Sequence, residues 1–481
     1  MKIQGKVVAL LVVIALLVGS GGTYAAFALF QDESQGSEQS MTLGSGNDME
    51  SEELSKINKT YELITDRYVK DVDQKDLLDG AIKGMIETLD DPYSIYMDPK
   101  TAEQFSQSLG SSFEGIGAEV NMDDGRVTIV SPYKDSPAEK AGLRPNDKIM
   151  TIDGESTEGL DLYDAVLKIR GEKGTVVELG VQRPGVSEIM EVKVTRDEIP
   201  IETVYAETVE KNGKKIGVLQ VTSFSENTAE NFSKELKKLE DEGIEGLVLD
   251  VRNNPGGLLN VVSDMAEEII PSNKPYVQIE DRQGEKQRSV SSLEQKKDYP
   301  IVGLIDRGSA SAAEILAGAL KEAGGYDLVG ENTFGKGTVQ TTVDLGDGSN
   351  IKLTMFKWLT PDGNWIHKEG IKPTVEAEQP AYFYVNPLSA EKTLEFDQNN
   401  KQVESAQVML KGLGFEPGRT DGYYSDKTVT AVKAFQRSNN IDVSGKIDEK
   451  TAQKLQENII DSIRNPDNDV QLETAVELLA K

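Results

Sequence analysis

A short apolar segment in the centre of the chain runs into a turn of small residues and then into a helical pattern. Residues 301–305 (IVGLI) are short enough for a buried strand, and residues 313–321 follow with helical spacing. Between them, RGSASAAE at 307–314 places two serines among small side chains. Such a turn presents a serine hydroxyl and backbone N–H groups at a helix N-terminus, which suits a nucleophile beside an oxyanion site.

The composition narrows the chemistry that such a serine could support. The chain has 481 residues, no cysteine and a single histidine, His367. A thiol protease is therefore excluded, and a zinc site built on several His or Cys ligands is disfavoured. A Ser-His-Asp triad would have to use His367, so a lysine is the more economical base.

Lys336 is the candidate base, because it lies in TFGKGTVQ (333–340), where glycines let the backbone approach closely. A lysine acts as a base only when it is neutral. At pH 7, forming the neutral amine from a pKa of ~10.4 costs about 4.6 kcal/mol. Burial would have to lower that pKa substantially. Taken separately, the lysine is an ordinary loop cation and the serines are helix caps.

Together, GSASAAE and TFGKGTVQ resemble the carboxyl-terminal processing (tail-specific) serine proteases, which use a Ser-Lys dyad. The resemblance implies that Ser311 is the nucleophile and Lys336 the base, with Gln340 orienting Lys336. It is the resemblance, not the spacing, that selects Ser311 over Ser309. On a straight strand Lys336 and Gln340 would lie about 13 Å apart, so a hydrogen bond between them requires the segment to curl.

A second glycine turn, DVRNNPGGL at 250–258, ends another apolar strand. In the resembling family this turn contributes an oxyanion amide, here from Gly256 or Gly257, beside the amide of Ala312. A tight strand-to-helix connection would use the same glycines, so both interpretations stay open.

Alternating strand and helix patterns predict an α/β layered protease core over residues 198–380. His367 lies in a stretch that resembles the family's closing segment and is interpreted as structural, although the sequence alone leaves a catalytic role open. The expected elements are strands 215–224, 246–251 and 301–305, helices 229–240 and 261–270, and a hairpin of 339–345 with 350–359.

Residues 109–197 resemble a PDZ domain through SPAEKAGLRPNDKIMTIDG at 136–154. Amides of its opening glycine segment are expected to bind the carboxyl terminus of a protein or peptide substrate. Arg170, at the end of the predicted flanking helix, is a candidate contact to the peptide or the protease body, with a solvated arginine as the alternative. The glycine segment consists of Gly115, Ile116, Gly117 and Ala118.

The N-terminal region carries a targeting signal. Lys2 and Lys6 precede 24 uncharged residues at 7–30, and acidic residues follow. Residues 1–30 are therefore predicted to be a single-pass membrane anchor with the catalytic body extracytoplasmic, and 31–50 a flexible linker. A signal peptide cleaved near Ala26-Phe27-Ala28 is the alternative.

Helical patterns precede and follow the two central domains. Residues 51–108 form a predicted helical region whose apolar stripe suits self-association, and a homodimer is expected. Residues 399–460 resemble a three-helix peptidoglycan-binding-type domain, for which glycan binding and assembly both stay open. The tail at 461–481 is predicted to be an acidic amphipathic helix, whose apolar side is formed by Val470, Leu472, Ala475, Leu478 and Leu479. A net charge of −30 argues against nucleic acid, and no cofactor or metal is expected.

The chain is thus predicted to be a multi-domain α+β protein and a membrane-anchored serine endopeptidase with a PDZ domain. Its architecture is similar to that of family members from endospore formers that cleave a signalling protein during sporulation. One alternative is a non-catalytic PDZ scaffold that binds protein tails and cell wall. Another is a cell-wall hydrolase directed by residues 399–460, which would usually show a zinc, Cys-His or acid-pair site.

Overall fold

A computed structural model describes residues 51–481, apart from 124, 161, 185, 187 and 389–391. The predicted anchor at 1–30 and the linker at 31–50 lie outside the described residues. From residue 51 onwards, none of the described helices combines the length and the apolar character needed to cross a membrane. The described part of the chain divides into two units, one that ends at Gly80 and one that spans Ala81–Lys481.

Helix α1 spans Ser51–Arg67 in the first unit, and α2 (Gln74–Glu87) begins there and continues into the second. Leu54 and Ile57 lie one turn apart on α1 and are 47% and 45% exposed. Part of the predicted apolar stripe is therefore accessible in the described chain.

The predicted helical region 51–108 is not helical throughout. A three-residue strand, β1 (Ile95–Met97), pairs antiparallel with a later strand of the protease core. Helix α3 (Pro99–Leu109) follows, with proline at its first position and the Asp98 carboxylate accepting the Thr101 N–H. The end of this region is thus joined to the core sheet.

The PDZ region forms a sheet that encloses its own apolar core. Buried Ile129, Ile149 and Leu179, from three neighbouring strands of this sheet, belong to that core. Helices α4 (Pro137–Lys140) and α5 (Leu162–Ile169) pack on this region. Its strands, after β2 (Ser112–Gly115), are β3 (Ala118–Asp123), β4 (Arg126–Pro132), β5 (Lys148–Ile152), β6 (Glu155–Ser156), β7 (Val176–Gln182) and β8 (Met190–Thr195).

The PDZ strands are ordered β3-β4-β5-β7-β8, with β6 paired to β5, so that β3 is an edge strand. The chain leaves this sheet through β9 (Asp197–Pro200), which pairs antiparallel with β2. Entry and exit of the domain are therefore held together by a two-stranded ribbon.

The protease core contains two sheets with helices between and around them. Its helices are α6 (Thr228–Asp241), α7 (Leu259–Ile269) and α8 (Ala312–Gly318), the last continued by a π-helical turn at Ala319–Gly324. Its strands are β10 (Val204–Lys211), β11 (Lys214–Val221), β12 (Gly246–Asp250), β13 (Pro275–Glu280), β14 (Lys286–Val290), β15 (Ile301–Ile305), β16 (Asp327–Gly330), β17 (Thr338–Asp344), β18 (Asn350–Leu359) and β19 (Val375–Glu376).

The larger sheet has the order β10-β11-β12-β15-β16-β19, and every neighbouring pair except β10–β11 is parallel. The second sheet has the order β1-β18-β13-β14, with β17 also paired to β18. Strands β12 and β15 are buried at every position. Both faces of the larger sheet must therefore be covered.

One face of the larger sheet packs on α6, α7 and α8 in the main core cluster, to which Leu247 and Leu249 of β12 belong. Val248, which points to the other face, joins a separate cluster with the C-terminal helix α12 (Val470–Leu479). Between core and tail lies a three-helix domain of α9 (Lys401–Gly412), α10 (Asp426–Ser438) and α11 (Glu449–Arg464), with its own core.

Candidate active site

Three neighbouring strands bring the sequence-predicted segments together. β12, β15 and β16 are adjacent and parallel, so their carboxyl ends share one edge of the sheet. The chain leaves β12 through the glycine turn (251–258), β15 through the serine turn (306–311) and β16 through the lysine segment (331–337). This edge is where open α/β sheets place their ligands.

Ser311 lies at the start of α8 in a strained conformation, with φ 54° and ψ −114°. Its N–H donates to the buried carboxylate of Glu314 at 2.9 Å. The preceding Ala310 N–H donates to the Asn254 carbonyl at 2.9 Å, which joins the serine turn to the glycine turn. The half-buried Ser311 hydroxyl donates no hydrogen bond within the described residues. Such strain at a serine elbow is found at sites of function.

Ser309 differs from Ser311 in its surroundings. It is fully buried, and its hydroxyl donates to the Val251 carbonyl at 2.8 Å and accepts the Asp306 N–H at 3.0 Å. Asp306 Oδ1 also accepts the N–H groups of Asn253, Gly308 and Ser309 at 2.8, 2.9 and 3.0 Å. The Ser309 hydroxyl thus holds two turns together.

The glycine turn approaches the serine turn too closely for a side chain. A Cβ on Gly256 (φ 102°) would lie 2.8 Å from both the Ala310 carbonyl oxygen and Ser311 Cβ, and one on Gly257 (φ 149°) would collide with the Phe224 carbonyl. The Gly256 N–H already donates to Asn254 Oδ1 at 2.8 Å. The N–H groups of Gly257 and Ala312 donate to no described residue, so both are available to a ligand.

The pKa of Lys336 is lowered, as a lysine that acts as a base requires. Burial and the positive charge of Lys352 lower its pKa to about 8, against the opposing carboxylates of Asp91 and Glu314. With that pKa, forming the neutral amine at pH 7 costs only about 1.4 kcal/mol. No described acceptor or carboxylate receives a hydrogen bond or ion pair from Nζ, and no hydrogen bond joins it to Ser311.

The Lys336 ammonium instead lies over an aromatic cluster. Nζ is 4.9 Å from the centre of the Tyr93 ring. His367 meets Tyr93 edge-on at 6.4 Å and stacks on Trp365 at 5.1 Å. Its buried Nδ1 has no partner in the described structure, and no hydrogen bond joins His367 to Ser311. Tyr93 falls in the predicted helical region 51–108, so the sequence pattern indicates no part for it in the site.

The predicted hydrogen bond between Gln340 and Lys336 is not formed among the described side chains. Gln340 Nε2 donates to the hydroxyls of Thr338 and Thr354, both at 3.1 Å. The β17–β18 ladder is irregular between Val339 and Gln340. Gln340 Oε1 accepts no hydrogen bond from a described residue. The orienting role of Gln340 therefore stays a prediction.

Glu314 joins the serine turn to the lysine segment, a role that sequence reasoning missed. Its fully buried carboxylate accepts from Thr333 Oγ1 and the Gly335 N–H on one oxygen, at 2.6 and 2.7 Å. The other oxygen accepts from the N–H groups of Ser311 and Lys336, at 2.9 and 2.8 Å. The S-x-x-E spacing of a capping box was the available sequence signal.

The glycine segment of the PDZ domain is held rigidly. Gly115 ends β2, and Ala118 begins the edge strand β3. The carbonyls of buried Ile116 and Gly117 accept the N–H groups of Ala138 and Tyr133, at 2.8 and 2.9 Å. Gly117 (φ 72°) tolerates no Cβ, which would lie 2.6 Å from that of Ser136. Binding of a terminal carboxylate here stays a prediction.

Arg170 contacts neighbouring elements. Its guanidinium lies 4.6 Å from the centre of the Phe113 ring on β2, and its stem passes beside Gly115. Nη1 makes a long, 3.4 Å hydrogen bond to Gln107 on α3, while the buried Nε has no described partner. The side chain thus joins the end of α5 to the segment that precedes the PDZ domain, and its contact with a peptide stays a prediction.

Comparison with known families assigns most of the chain. Residues 215–377 match peptidase family S41, and residues 128–183 match a PDZ domain. Residues 399–455 match a putative peptidoglycan binding domain, and residues 16–101 match the N-terminal domain of the activating protease CtpB.

Relatives align over nearly the whole chain. The carboxy-terminal processing protease CtpB of Bacillus subtilis is 51% identical over 98% of this chain and 99% of its own length. CtpA of the same organism is 45% identical over 89% and 90%. Among solved structures, a photosystem II D1 C-terminal processing protease is 33% identical over 67% of this chain and 86% of its own, with a TM-score of 0.43. The chain therefore belongs to the carboxy-terminal processing serine proteases of peptidase family S41, with a PDZ domain and a peptidoglycan-binding-type domain.

Proposed function

We propose that the protein is an endopeptidase that cleaves peptide bonds with a dyad of Ser311 and Lys336. The observation that carries this proposal is the buried carboxylate of Glu314, which binds the backbone N–H groups of both residues. A strained serine and a lysine of lowered pKa that are both held by one acceptor are typical of a shared reaction centre.

In the proposed reaction, neutral Lys336 takes the proton of Ser311 Oγ while Oγ bonds to the scissile carbonyl carbon. As the C–N bond breaks, the Lys336 ammonium returns that proton to the leaving amine. Water then attacks the acyl-enzyme and gives a proton to Lys336. As the ester bond to Ser311 breaks, Lys336 returns that proton to Ser311 Oγ, which releases the new carboxyl terminus and restores the serine hydroxyl and the neutral lysine.

The tetrahedral oxyanion would be bound by the N–H groups of Ala312 and Gly257. We favour Gly257 over Gly256 because the Gly256 N–H already has an acceptor in Asn254. Gln340 would orient Lys336 through Oε1, which accepts no hydrogen bond from the described residues. This requires the Lys336 side chain to leave the Tyr93 ring and turn toward Ser311.

The PDZ domain would capture the carboxyl terminus of a protein substrate. Its edge strand β3 can add a peptide strand, beginning at the glycine segment of Gly115, Ile116, Gly117 and Ala118. Arg170, which lies beside Gly115, would contact the bound peptide or couple peptide binding to the protease body. Remote binding of this kind supplies energy that can be used at the reaction centre.

The cellular setting follows from sequence features. We propose a single-pass membrane anchor at 1–30, or a cleaved signal peptide, with the catalytic body extracytoplasmic and a signalling protein of sporulation as the narrower substrate candidate. The exposed Leu54 and Ile57 on α1 support a homodimer. Residues 399–460 would bind peptidoglycan or mediate assembly.

Cleavage of an unfolded protein with an apolar carboxyl terminus tests the dyad. Ser311→Ala and Lys336→Ala should both lose activity, whereas Lys357→Ala, which removes a half-exposed lysine on β18, should keep it. Cleavage that survives Ser311→Ala would show that another residue is the nucleophile. Binding of protein tails and cell wall without cleavage by the parent protein would favour the scaffold.

A further inference from the structure

The C-terminal helix α12 completes the protease core although it follows the three-helix domain. Leu472, Ala475, Val476 and Leu479 are buried against strands of the larger sheet, on the face opposite α6, α7 and α8. Their partners include Val218, Val248, Val302 and Val329. The three-helix domain is therefore inserted between two parts of one folded core.

At its start, α12 is joined to the core by a bidentate ion pair. Arg252 Nη1 and Nη2 donate to Asp469 Oδ1 and Oδ2 at 2.9 and 2.8 Å. The same guanidinium binds Asp250, at the end of β12, through Nε and Nη2, at 3.0 and 2.7 Å. Burial raises the pKa of Asp469, but the hydrogen bonds and charge of Arg252 outweigh it and lower that pKa.

Both connections of the inserted domain meet at this ion pair. On the outgoing side, Gln379 Nε2 donates to Asp469 Oδ1 at 2.6 Å. On the returning side, buried Gln471 accepts from Arg252 at 3.0 Å and donates to the Ala377 carbonyl at 2.9 Å. Movement of either connection would therefore act on the Arg252 guanidinium.

Arg252 lies near the start of the glycine turn, four residues before Gly256. The next residue, Asn253, has φ 55° and donates its N–H to Asp306 at 2.8 Å. Asn254 accepts the Ala310 N–H and, through its side chain, the Gly256 N–H. Residues 253–256 therefore connect Arg252 to Gly257, whose N–H donates to no described residue.

We propose that Asp469 is a positioning residue for the glycine turn, which it holds through Arg252 so that the Gly257 N–H points at the developing oxyanion. The proposal rests on the oxyanion role proposed above for Gly257. It implies that proteolysis depends on the chain after the three-helix domain. A substitution that weakens the contact between Asp469 and Arg252 should impair the chemical step more than substrate binding, because the glycine turn binds the oxyanion in the transition state.

The test compares variants of the full-length protein. Asp469→Asn removes the charge that pairs with Arg252, and Asp469→Glu restores it with a longer side chain. Glu473→Gln is the matched control, since Glu473 is an exposed carboxylate on the same helix that pairs only loosely with Lys211, at 3.5 Å. Gln379→Ala is a milder variant that leaves the Arg252–Asp469 ion pair in place and removes the hydrogen bonds of Gln379 to Asp469 and to the Val470 N–H. For each protein, kcat and KM for a peptide, Tm, and the inhibition constant of a matched peptide boronate are measured.

Asp469→Asn should lower kcat about tenfold to a hundredfold and weaken boronate binding in parallel, with KM nearly unchanged, because small misplacements at a reaction centre have effects of this size. Asp469→Glu should recover part of the loss, Gln379→Ala should show a smaller loss, and Glu473→Gln none. Boronate forms a tetrahedral adduct with serine, so its affinity reports the oxyanion amides, which a merely structural defect in a folded protein would not change.

Unchanged kcat in Asp469→Asn and Gln379→Ala would overturn the proposal. So would a loss of kcat that follows Tm and disappears on cooling, or one that Glu473→Gln shares. Gly257→Ala and Ser311→Ala test separately the oxyanion role of Gly257 and the nucleophilic role of Ser311. If Gly257→Ala stays active while Ser311→Ala is inactive, the oxyanion assignment fails but the serine nucleophile stands; if Ser311→Ala is active, the dyad itself fails.

Discussion

Replacing Glu314 by glutamine should reduce both stability and activity, because this side chain joins the serine turn to the lysine segment. The fully buried carboxylate accepts four hydrogen bonds, two on each oxygen. A glutamine amide retains one acceptor oxygen and presents an NH₂ group in place of the other. Two of the four donors then face a donor.

The orientation of that amide sets the magnitude. If NH₂ faced Ser311 and Lys336, two buried N–H groups would lose their acceptor, at a cost of about 2–6 kcal/mol. If NH₂ faced Thr333 and Gly335, the threonine hydroxyl could rotate to accept from it. This leaves the Gly335 N–H unpaired, at about 1–3 kcal/mol, and requires the Thr333 O–H to find another acceptor. The second orientation costs less, so we expect a destabilisation of about 1–3 kcal/mol.

Urea unfolding measures the loss of stability, and kcat measured where both proteins are fully folded isolates the catalytic effect. The lysine segment loses an anchor at Gly335, next to Lys336, so kcat should fall at least tenfold if the displacement approaches 1 Å. Glu331→Gln is the control. Its carboxylate is also buried at this edge of the sheet but binds the side chains of Arg307 and Tyr384.

This role of Glu314 would be refuted if folded Glu314→Gln kept the kcat of the parent protein. It would also be refuted if Glu331→Gln lowered kcat as much as Glu314→Gln at equal loss of stability, because the bridge between Ser311 and Lys336 would then have no special role.

Further predictions concern the pH profile and the residues around the reaction centre. The value of kcat/KM should rise with pH through a midpoint near 8, because Lys336, with a pKa of about 8, must be neutral to act as a base; initial rates across this range measure it. Lys352→Met removes a positive charge that lowers the pKa of Lys336, so the midpoint in the same assay should move upward. Gly257→Ala should abolish cleavage, since its Cβ would collide with Phe224, whereas Gly243→Ala, whose added Cβ meets nothing within 4 Å, should leave kcat intact. His367→Phe should keep substantial kcat, because His367 stacks on Trp365 and forms no hydrogen bond to Ser311 within the described residues.

The multi-domain α+β class and the relationship to the family could be predicted because local patterns carry them. The apolar run at 301–305 coincides with β15. The helix predicted after it at 313–321 is α-helical only as Ala312–Gly318 and continues as a π-helical turn, which local spacing does not distinguish. The serine turn itself is readable from sequence because small residues allow its close contact with the glycine turn.

Long-range partners of polar residues could not be predicted. Glu314 is buried with donors that converge on it from the segment after the next strand, β16, and no helical periodicity identifies them. Arg252 and Asp469 likewise meet across an inserted domain. The tail was recognised as an amphipathic helix, but a pattern of apolar residues does not name the surface that it covers. Of the residues expected on its apolar side, Leu472, Ala475 and Leu479 are buried, whereas Val470 is 40% exposed.

Short elements also escaped prediction. Strand β1 (Ile95–Met97) lies within a region predicted to be helical, and three residues are too few for alternation to be detected. It pairs with β18 and leaves Tyr93 beside Lys336. The geometry of Gln340 depends on an irregular ladder at Val339, a tertiary feature that strand periodicity cannot supply.

Trapping of the acyl-enzyme shows whether Ser311 is acylated with Lys336 as its base. The full-length protein is mixed with an activated peptide ester, quenched at successive times and mapped by mass spectrometry at several pH values. The account predicts an acyl group on Ser311, formed at a rate that rises through a midpoint near pH 8 and is lost in Lys336→Ala. An acyl group on Ser309 or elsewhere, or acylation of Ser311 at an undiminished rate in Lys336→Ala, would contradict it.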